Sequence, residues 1–159
     1  MKVSIVMGSI SDRELADRAI AMLRKFGVAV ESRVISAHRT PYAALNFAEE
    51  AERNGIDVVI AIAGKAAHLA GIIAGVTCLP VIGLPVKSTT MDGLDSLLSV
   101  VQMPKGVPVA TVAIDGAENA ALLAVEILAV KSPELREQLH AYKLELSEEV
   151  IKMNDMLYQ

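Results

Sequence analysis

The chain contains no Trp, and three Tyr and two Phe make up its whole aromatic complement, 3% of the residues. Proteins that bind single-stranded nucleic acid stack bases on aromatic rings, and no such series is present. A flavin site would normally draw on rings as well. A cationic excess is also missing: 15 Lys and Arg against 19 Asp and Glu give a net charge of -4 and a pI near 5.4. Phosphate backbones are neutralised by basic surfaces, so nucleic acid is not expected as a partner. The single Cys78 excludes an internal disulfide, and no Cys/His spacing around it suggests zinc. The first residues, MKVSIVMGS, lack the longer apolar region and small-residue cleavage site of a secretory signal. A reducing, cytoplasmic setting is the expectation.

Uninterrupted hydrophobic runs are scarce too. Ala66 to Val86 has the length of a membrane span and carries no Asp, Glu, Lys or Arg. Gly71, Gly75, Pro80, Gly83 and Pro85 nevertheless divide it into a short helix and a short strand, so no membrane segment is expected. What is abundant is aliphatic. Hydrophobic residues reach 53%, including seven Met, so the core must be built from Ala, Val, Ile, Leu and Met. The 159 residues suffice for one domain with a real core and are too few for two of ordinary size, so one domain is expected over 1–159.

Five short apolar, mostly β-branched runs recur: KVSIVM near the start, VAVESRVI from Val28, DVVIAIA from Asp57, PVIGLPV from Pro80 and PVATVAI from Pro108. Each ends in a turn rich in Gly, Ser or Pro. Helical patterns lie between and after them, at Arg13 to Phe26, Pro41 to Arg53, Ala66 to Gly75, Asp92 to Val100 and Ala117 to Val130. This alternation predicts an α/β fold with a doubly wound parallel sheet. Ligands bind such sheets outside the carboxyl ends of the strands, so the loops after the strands are the places to search. From Pro133 to Tyr158 a further helix repeats Leu135, Leu139, Tyr142, Leu146, Val150, Met153 and Leu157 on one stripe. Ser132 is placed to cap it and Pro133 to start it. Such an arm needs a surface to lie on, either a neighbouring subunit or its own domain.

The loops carry few residue types capable of chemistry. In MGSISDRELA, Gly8 permits a tight turn, and Ser9, Ser11 and Asp12 place short polar groups where a helix begins, the end that attracts anions. Glycine spacing for a dinucleotide site and the GK[ST] of a P-loop are both missing. Ser11 with Glu14 also reads as a capping box, which needs no ligand. In SAHRTP, Thr40 and Pro41 suit a helix start, whereas Ser36, His38 and Arg39 have no structural excuse. Arg can grip a phosphate through two bonds, and His can carry a proton. In AGKAAHLAG, Gly64, Ala66 and Ala67 let backbone approach a ligand, and His68 is expected one turn into a helix at the same sheet edge as His38. The polar stretch from Lys87 through Ser88, Thr89, Thr90 and Asp92 reads either as helix capping or as a cover over a site. No nucleophile elbow, acid/base carboxylate pair or metal-ligand cluster appears. His140, in the last helix, reads as structural or solvated.

Taken together, IVMGSISD, SAHRTP, AGKAAHLAG, LPVIGLPVKSTTMDGLDSLLSVVQMPKGVPVATVAI and NAALLAVEIL resemble the PurE family, over nearly the whole chain and in the same order. The resemblance implies a flavodoxin-like three-layer sandwich, a five-stranded parallel sheet in the order 2-1-3-4-5 and a long C-terminal helix. It implies an octamer in which the arm, 133–159, takes part in packing. The implied reaction converts N5-carboxyaminoimidazole ribonucleotide to 4-carboxy-5-aminoimidazole ribonucleotide in purine biosynthesis, with no metal and no cofactor. His38 would carry the proton. Ser9, Ser11, Asp12, Ser36 and Arg39 would hold the ribose phosphate. Gly64, Lys65, Ala66, His68 and Leu69 would form the pocket that keeps carbon dioxide beside the ring. Lys65 and Ala70 stand where the mutase branch usually has Gly and Pro, and the carboxylase branch tends to be basic at position 65. The alternatives are therefore a direct aminoimidazole ribonucleotide carboxylase of the same family, or a flavodoxin-like ligand-binding module.

Overall fold

Five β-branched segments form one parallel sheet in the computed structural model, which describes residues 1–157. The strands are β1 (Lys2–Met7), β2 (Ala29–Val34), β3 (Val58–Gly64), β4 (Val81–Val86) and β5 (Ala110–Thr111), in the flavodoxin-like order β2-β1-β3-β4-β5. Parallel pairing requires a crossover between strands, and the helices supply it: α1 (Arg13–Lys25), α2 (Pro41–Glu50), α3 (Leu69–Ala74) and α4 (Leu94–Val101). α5 (Ala117–Ala129) and α6 (Pro133–Met156) follow the last strand.

The period of two along each strand divides the apolar residues between two cores. Val3, Ile5, Met7, Val58, Ile60, Ile62, Ile82 and Leu84 face α1, α5 and the start of α6. Val6, Val59, Ala61, Ala63 and Val81 face α2, α3 and Val100 of α4. The central strands are therefore apolar on both sides, which is why they read as continuous hydrophobic runs. Small residues allow the layers to approach. At Gly83 in β4, a Cβ would run into the Val100 side chain and lie 3.0 Å from a Val109 methyl.

The two edges of the sheet differ. β2 is mostly exposed and carries charge: Glu31 accepts from Lys2 Nζ at 3.1 Å and from Arg33 Nε at 3.1 Å. Burial acts to raise the Glu31 carboxyl, but these two cations outweigh it and hold it below the usual carboxylate range. β5 is shorter than the run PVATVAI predicts, with only two residues in regular pairing. Pro108 has no N–H to donate, and beyond Thr111 the chain keeps contact with β4 through single bonds, Val112 N–H to Gly83 O at 3.2 Å and Asp115 N–H to Pro85 O at 2.9 Å.

α6 starts as expected, with Pro133 in its first turn and the Ser132 hydroxyl accepting from Leu135 N–H at 3.3 Å. Its first half lies on its own chain. Leu135 and Leu139 are buried, the Tyr142 ring meets Phe26 edge-on at 5.8 Å, and ion pairs join Lys143 to Glu126 and Lys25 to Glu145. Its second half packs on nothing among the described residues: Val150 is 64% exposed against 4% for Leu135, and Leu146, Ile151, Met153 and Met156 are exposed with it. The arm as read from the sequence extends to Tyr158, which lies outside the described residues. No helix among the described residues is long and apolar enough to cross a membrane.

Candidate active site

Four loops leave the carboxyl ends of β1 to β4 on one side of the sheet, and together they line a cavity of about 700 Å³. The first is pinned where Gly8 N–H donates to Ile62 O at 2.9 Å, drawing it across β3. Ser9, in extended conformation, accepts from Ser11 N–H and opens a 3-10 turn over Ile10–Asp12. That turn displaces the capping box read from Ser11 and Glu14. Asp12 becomes the N-cap of α1 without a side-chain bond, and the Ser11 hydroxyl donates to Asp12 Oδ1 at 3.0 Å instead. Burial pushes the Asp12 carboxyl above its ordinary range, and hydrogen bonds from Ser11 and the Ser9 backbone draw it partly back.

The second loop folds around Ser36. Thr40 does not cap α2 with its side chain; its hydroxyl donates to Ser36 O at 2.9 Å and accepts from Ser36 N–H at 3.1 Å, closing the turn on itself. The Ser36 hydroxyl in turn accepts from Arg39 N–H at 3.3 Å and from Arg39 Nε at 3.2 Å. Arg39 Nη2 donates to Gly8 O at 3.3 Å, so the guanidinium bridges the first two loops and still has N–H groups to offer.

The third loop brings the imidazoles together. His68 is not one turn into α3: it is the N-cap, and the helix starts at Leu69. The tight backbone before it, with Ala67 N–H donating to Lys65 O and His68 N–H to Ala66 O, both at 2.9 Å, consumes the residues that the periodicity assigned to the helix. His38 Nε2 lies 2.8 Å from His68 Nδ1, with the rings 79° apart. A single proton fits between these nitrogens, so one ring donates and the other accepts. Both rings are exposed, while Leu69 beside them is buried.

The residues that the family resemblance assigns to the site all reach this one cavity: Ser9, Ser11 and Asp12 from the first loop, Ser36, His38 and Arg39 from the second, Gly64, Lys65, Ala66, His68 and Leu69 from the third. Ala67, also singled out in the third loop, is buried and does not line it. The fourth loop, which the sequence left open between capping and cover, adds Lys87, Ser88 and Thr89 to the wall. No side chain of this loop caps α4; the Ser88 hydroxyl donates instead to Asp95 Oδ1 at 2.8 Å, and Ser88 lines the cavity. The loop is held by Asp115, whose carboxylate accepts from Lys87 N–H at 2.8 Å. Glycine is needed in this loop, because Gly93 enters α4 at φ 94°. His140 is exposed and far along the chain on α6, apart from this cavity. Among the described residues no three His, Cys, Asp or Glu side chains gather where a metal could be held.

The AIR carboxylase family model matches residues 2–149, a span that includes all four of these loops. The chain belongs to the AIR carboxylase family. N5-carboxyaminoimidazole ribonucleotide mutase of Pyrococcus horikoshii is 57% identical over 148 residues, covering 93% of this chain and 84% of that protein. The chloroplastic phosphoribosylaminoimidazole carboxylase of Vigna aconitifolia is 48% identical over 155 residues, 98% of this chain but 28% of that protein. A crystal structure of Treponema denticola PurE superimposes with a TM-score of 0.89 at 29% identity, covering 99% of both chains. AIR carboxylase family membership thus accounts for the strand order and the long final helix together.

Proposed function

We propose that this chain is an N5-carboxyaminoimidazole ribonucleotide mutase of purine biosynthesis, moving a carboxylate from the exocyclic nitrogen of the substrate to ring carbon C4. The observation that carries the reading is the contact of His38 with His68 at 2.8 Å, in a pocket that Arg39 and serine hydroxyls also line. Arg39, Ser9, Ser11 and Ser36 take the phosphate, and Asp12, an acceptor when ionised, takes ribose hydroxyls. His38 gives a proton to the departing nitrogen as the N–C bond breaks and carbon dioxide is released. Carbon dioxide then bonds to C4, His38 takes the C4 proton, and the enzyme returns to its starting protonation state. His68 fixes the orientation and tautomer of His38 through the shared hydrogen bond. The small residues of the third loop and buried Leu69 keep the gas beside the ring.

The second reading is direct carboxylation of aminoimidazole ribonucleotide. Similarity to the Vigna carboxylase favours it. The two separate by substrate: formation of 4-carboxyaminoimidazole ribonucleotide is compared between freshly made carbamate and aminoimidazole ribonucleotide with bicarbonate. Faster turnover of the carbamate is expected; faster turnover of the unmodified nucleotide makes the chain a carboxylase. The reading extends to one domain acting as a cytoplasmic octamer. The apolar second half of α6 and the exposed Met91, Leu94, Leu98 and Val101 beside and along α4 support assembly through helices. Sedimentation of the purified chain at the mass of eight subunits is the expected result, and a monomer would remove this part of the proposal.

A further inference from the structure

Lys65 holds a backbone conformation that lysine rarely adopts. Its φ is 56°, in the left-handed region where a Cβ is crowded and where Gly, Asn or Asp would be the easier choice. The turn itself needs no side chain there, because Lys65 contributes its carbonyl, which accepts from Ala67 N–H. Strain of this kind gathers at ligand sites, where the surroundings fix the backbone. Lys65 is exposed on the wall of the cavity shared by His38 and His68, and it is three residues from His68 on the same loop. Among the described residues its ammonium has no acidic partner. The other cations of the cavity are engaged: Arg39 with Ser36 and Gly8, and Lys87 with Asp92 at 3.4 Å.

We infer that Lys65 binds the migrating carboxylate and so sets the preference of the site for carboxylated over uncarboxylated nucleotide. The inference rests on the mutase reading above, in which the substrate carries two anionic groups. The phosphate falls to Arg39 and the serines, leaving a carboxylate that must stay close to the proton carrier. An ammonium on a flexible four-carbon stem can follow that carboxylate between two attachment points, which a guanidinium held by Ser36 and Gly8 cannot do as freely. Lys65 lines the same cavity as the two imidazoles, so its stem starts within that site.

The test uses the full chain and equilibrium binding of two probes, aminoimidazole ribonucleotide and 4-carboxyaminoimidazole ribonucleotide, which differ by the carboxylate alone. Lys65→Met removes the charge and keeps the conformational strain; Lys65→Gly removes both. Both variants are expected to bind the carboxylated probe about tenfold more weakly and the uncarboxylated one within about twofold of wild type, and Lys65→Arg to recover part of the difference. Lys65→Gly should also melt about 3 °C higher than Lys65→Met, through relief of the left-handed turn. Equal weakening of both probes by Lys65→Met, or no weakening of either, overturns the assignment. A wild-type chain that binds neither probe overturns the mutase reading itself, and the role of Lys65 with it.

Discussion

β3 and the loop that leaves it are consecutive in sequence and opposite in character. From Val58 to Ala63 every side chain is buried, alternating between two cores in regular pairing. From Lys65 to His68 the backbone turns sharply, one residue is left-handed, and Lys65, Ala66 and His68 are exposed. Over this short span the chain passes from positions that hold the molecule together to positions that line the cavity. The contrast implies that stability and chemistry are separable here. A change inside the sheet should unfold the protein with little specific effect on the reaction, and a change at the carboxyl edge should do the reverse.

His38→Asn tests the functional side most severely. Turnover should fall by about a thousandfold, the typical weight of a positioned proton carrier, while the melting temperature stays close to wild type because the ring is exposed. Turnover within tenfold of wild type would end the role of His38. Gly83→Ala tests the opposite side: overpacking against Val100 and Val109 should cost about 2–3 kcal/mol in denaturant unfolding, with kcat nearly unchanged in the fraction that remains folded. An equally stable variant would show that α4 and the β5 region can move away, and that the layers are less tightly fixed than the packing implies. Arg39→Ala should raise KM about thirtyfold, or about 2 kcal/mol, with a smaller change in kcat, since it removes from the pocket the charged hydrogen-bonding group proposed to hold the phosphate. An unchanged KM would move the phosphate elsewhere.

Asp12→Asn, with the smallest effect, sharpens the boundary between the two sides, because Asp12 is both buried and on the cavity wall. Its folded pKa lies above the ordinary value of 3.8, so folding favours the protonated form. The penalty for ionised Asp12 is absent below 3.8 and fully present above the raised folded value. The Asn variant should therefore exceed wild type in stability by less than about 1 kcal/mol at pH 7, with the difference narrowing as the pH falls through the carboxylate range. Melting curves at several pH values decide it, and a difference that widens toward acid would reverse the sign.

Much of the layout was legible because aliphatic strands covered on both faces have a plain signature in a chain so poor in rings. The order of the strands was not; it came from the resemblance to a family, since apolar runs say where strands are and not which ones pair. The sheet edge shared by His38 and His68 followed from counting strands. Their 2.8 Å contact did not, because it depends on β2 and β3 flanking β1 and on the turn that ends β3. Local readings failed where tertiary contacts took over hydroxyls. Ser11 bonds Asp12 and Thr40 bonds Ser36, although both looked like helix caps. The left-handed Lys65 gave no local warning at all, because lysine does not announce a turn.

The edges of the sheet bear on how copies of this chain can meet. An open strand edge offers free N–H and C=O groups to any passing strand, the route by which sheets extend into fibres. β2 guards one edge with Glu31 and Arg33, and β5 guards the other by being only two residues long. With both routes to sheet extension obstructed, helical surfaces are left for association, and these can close into a particle of finite size where stacked strands would continue without limit.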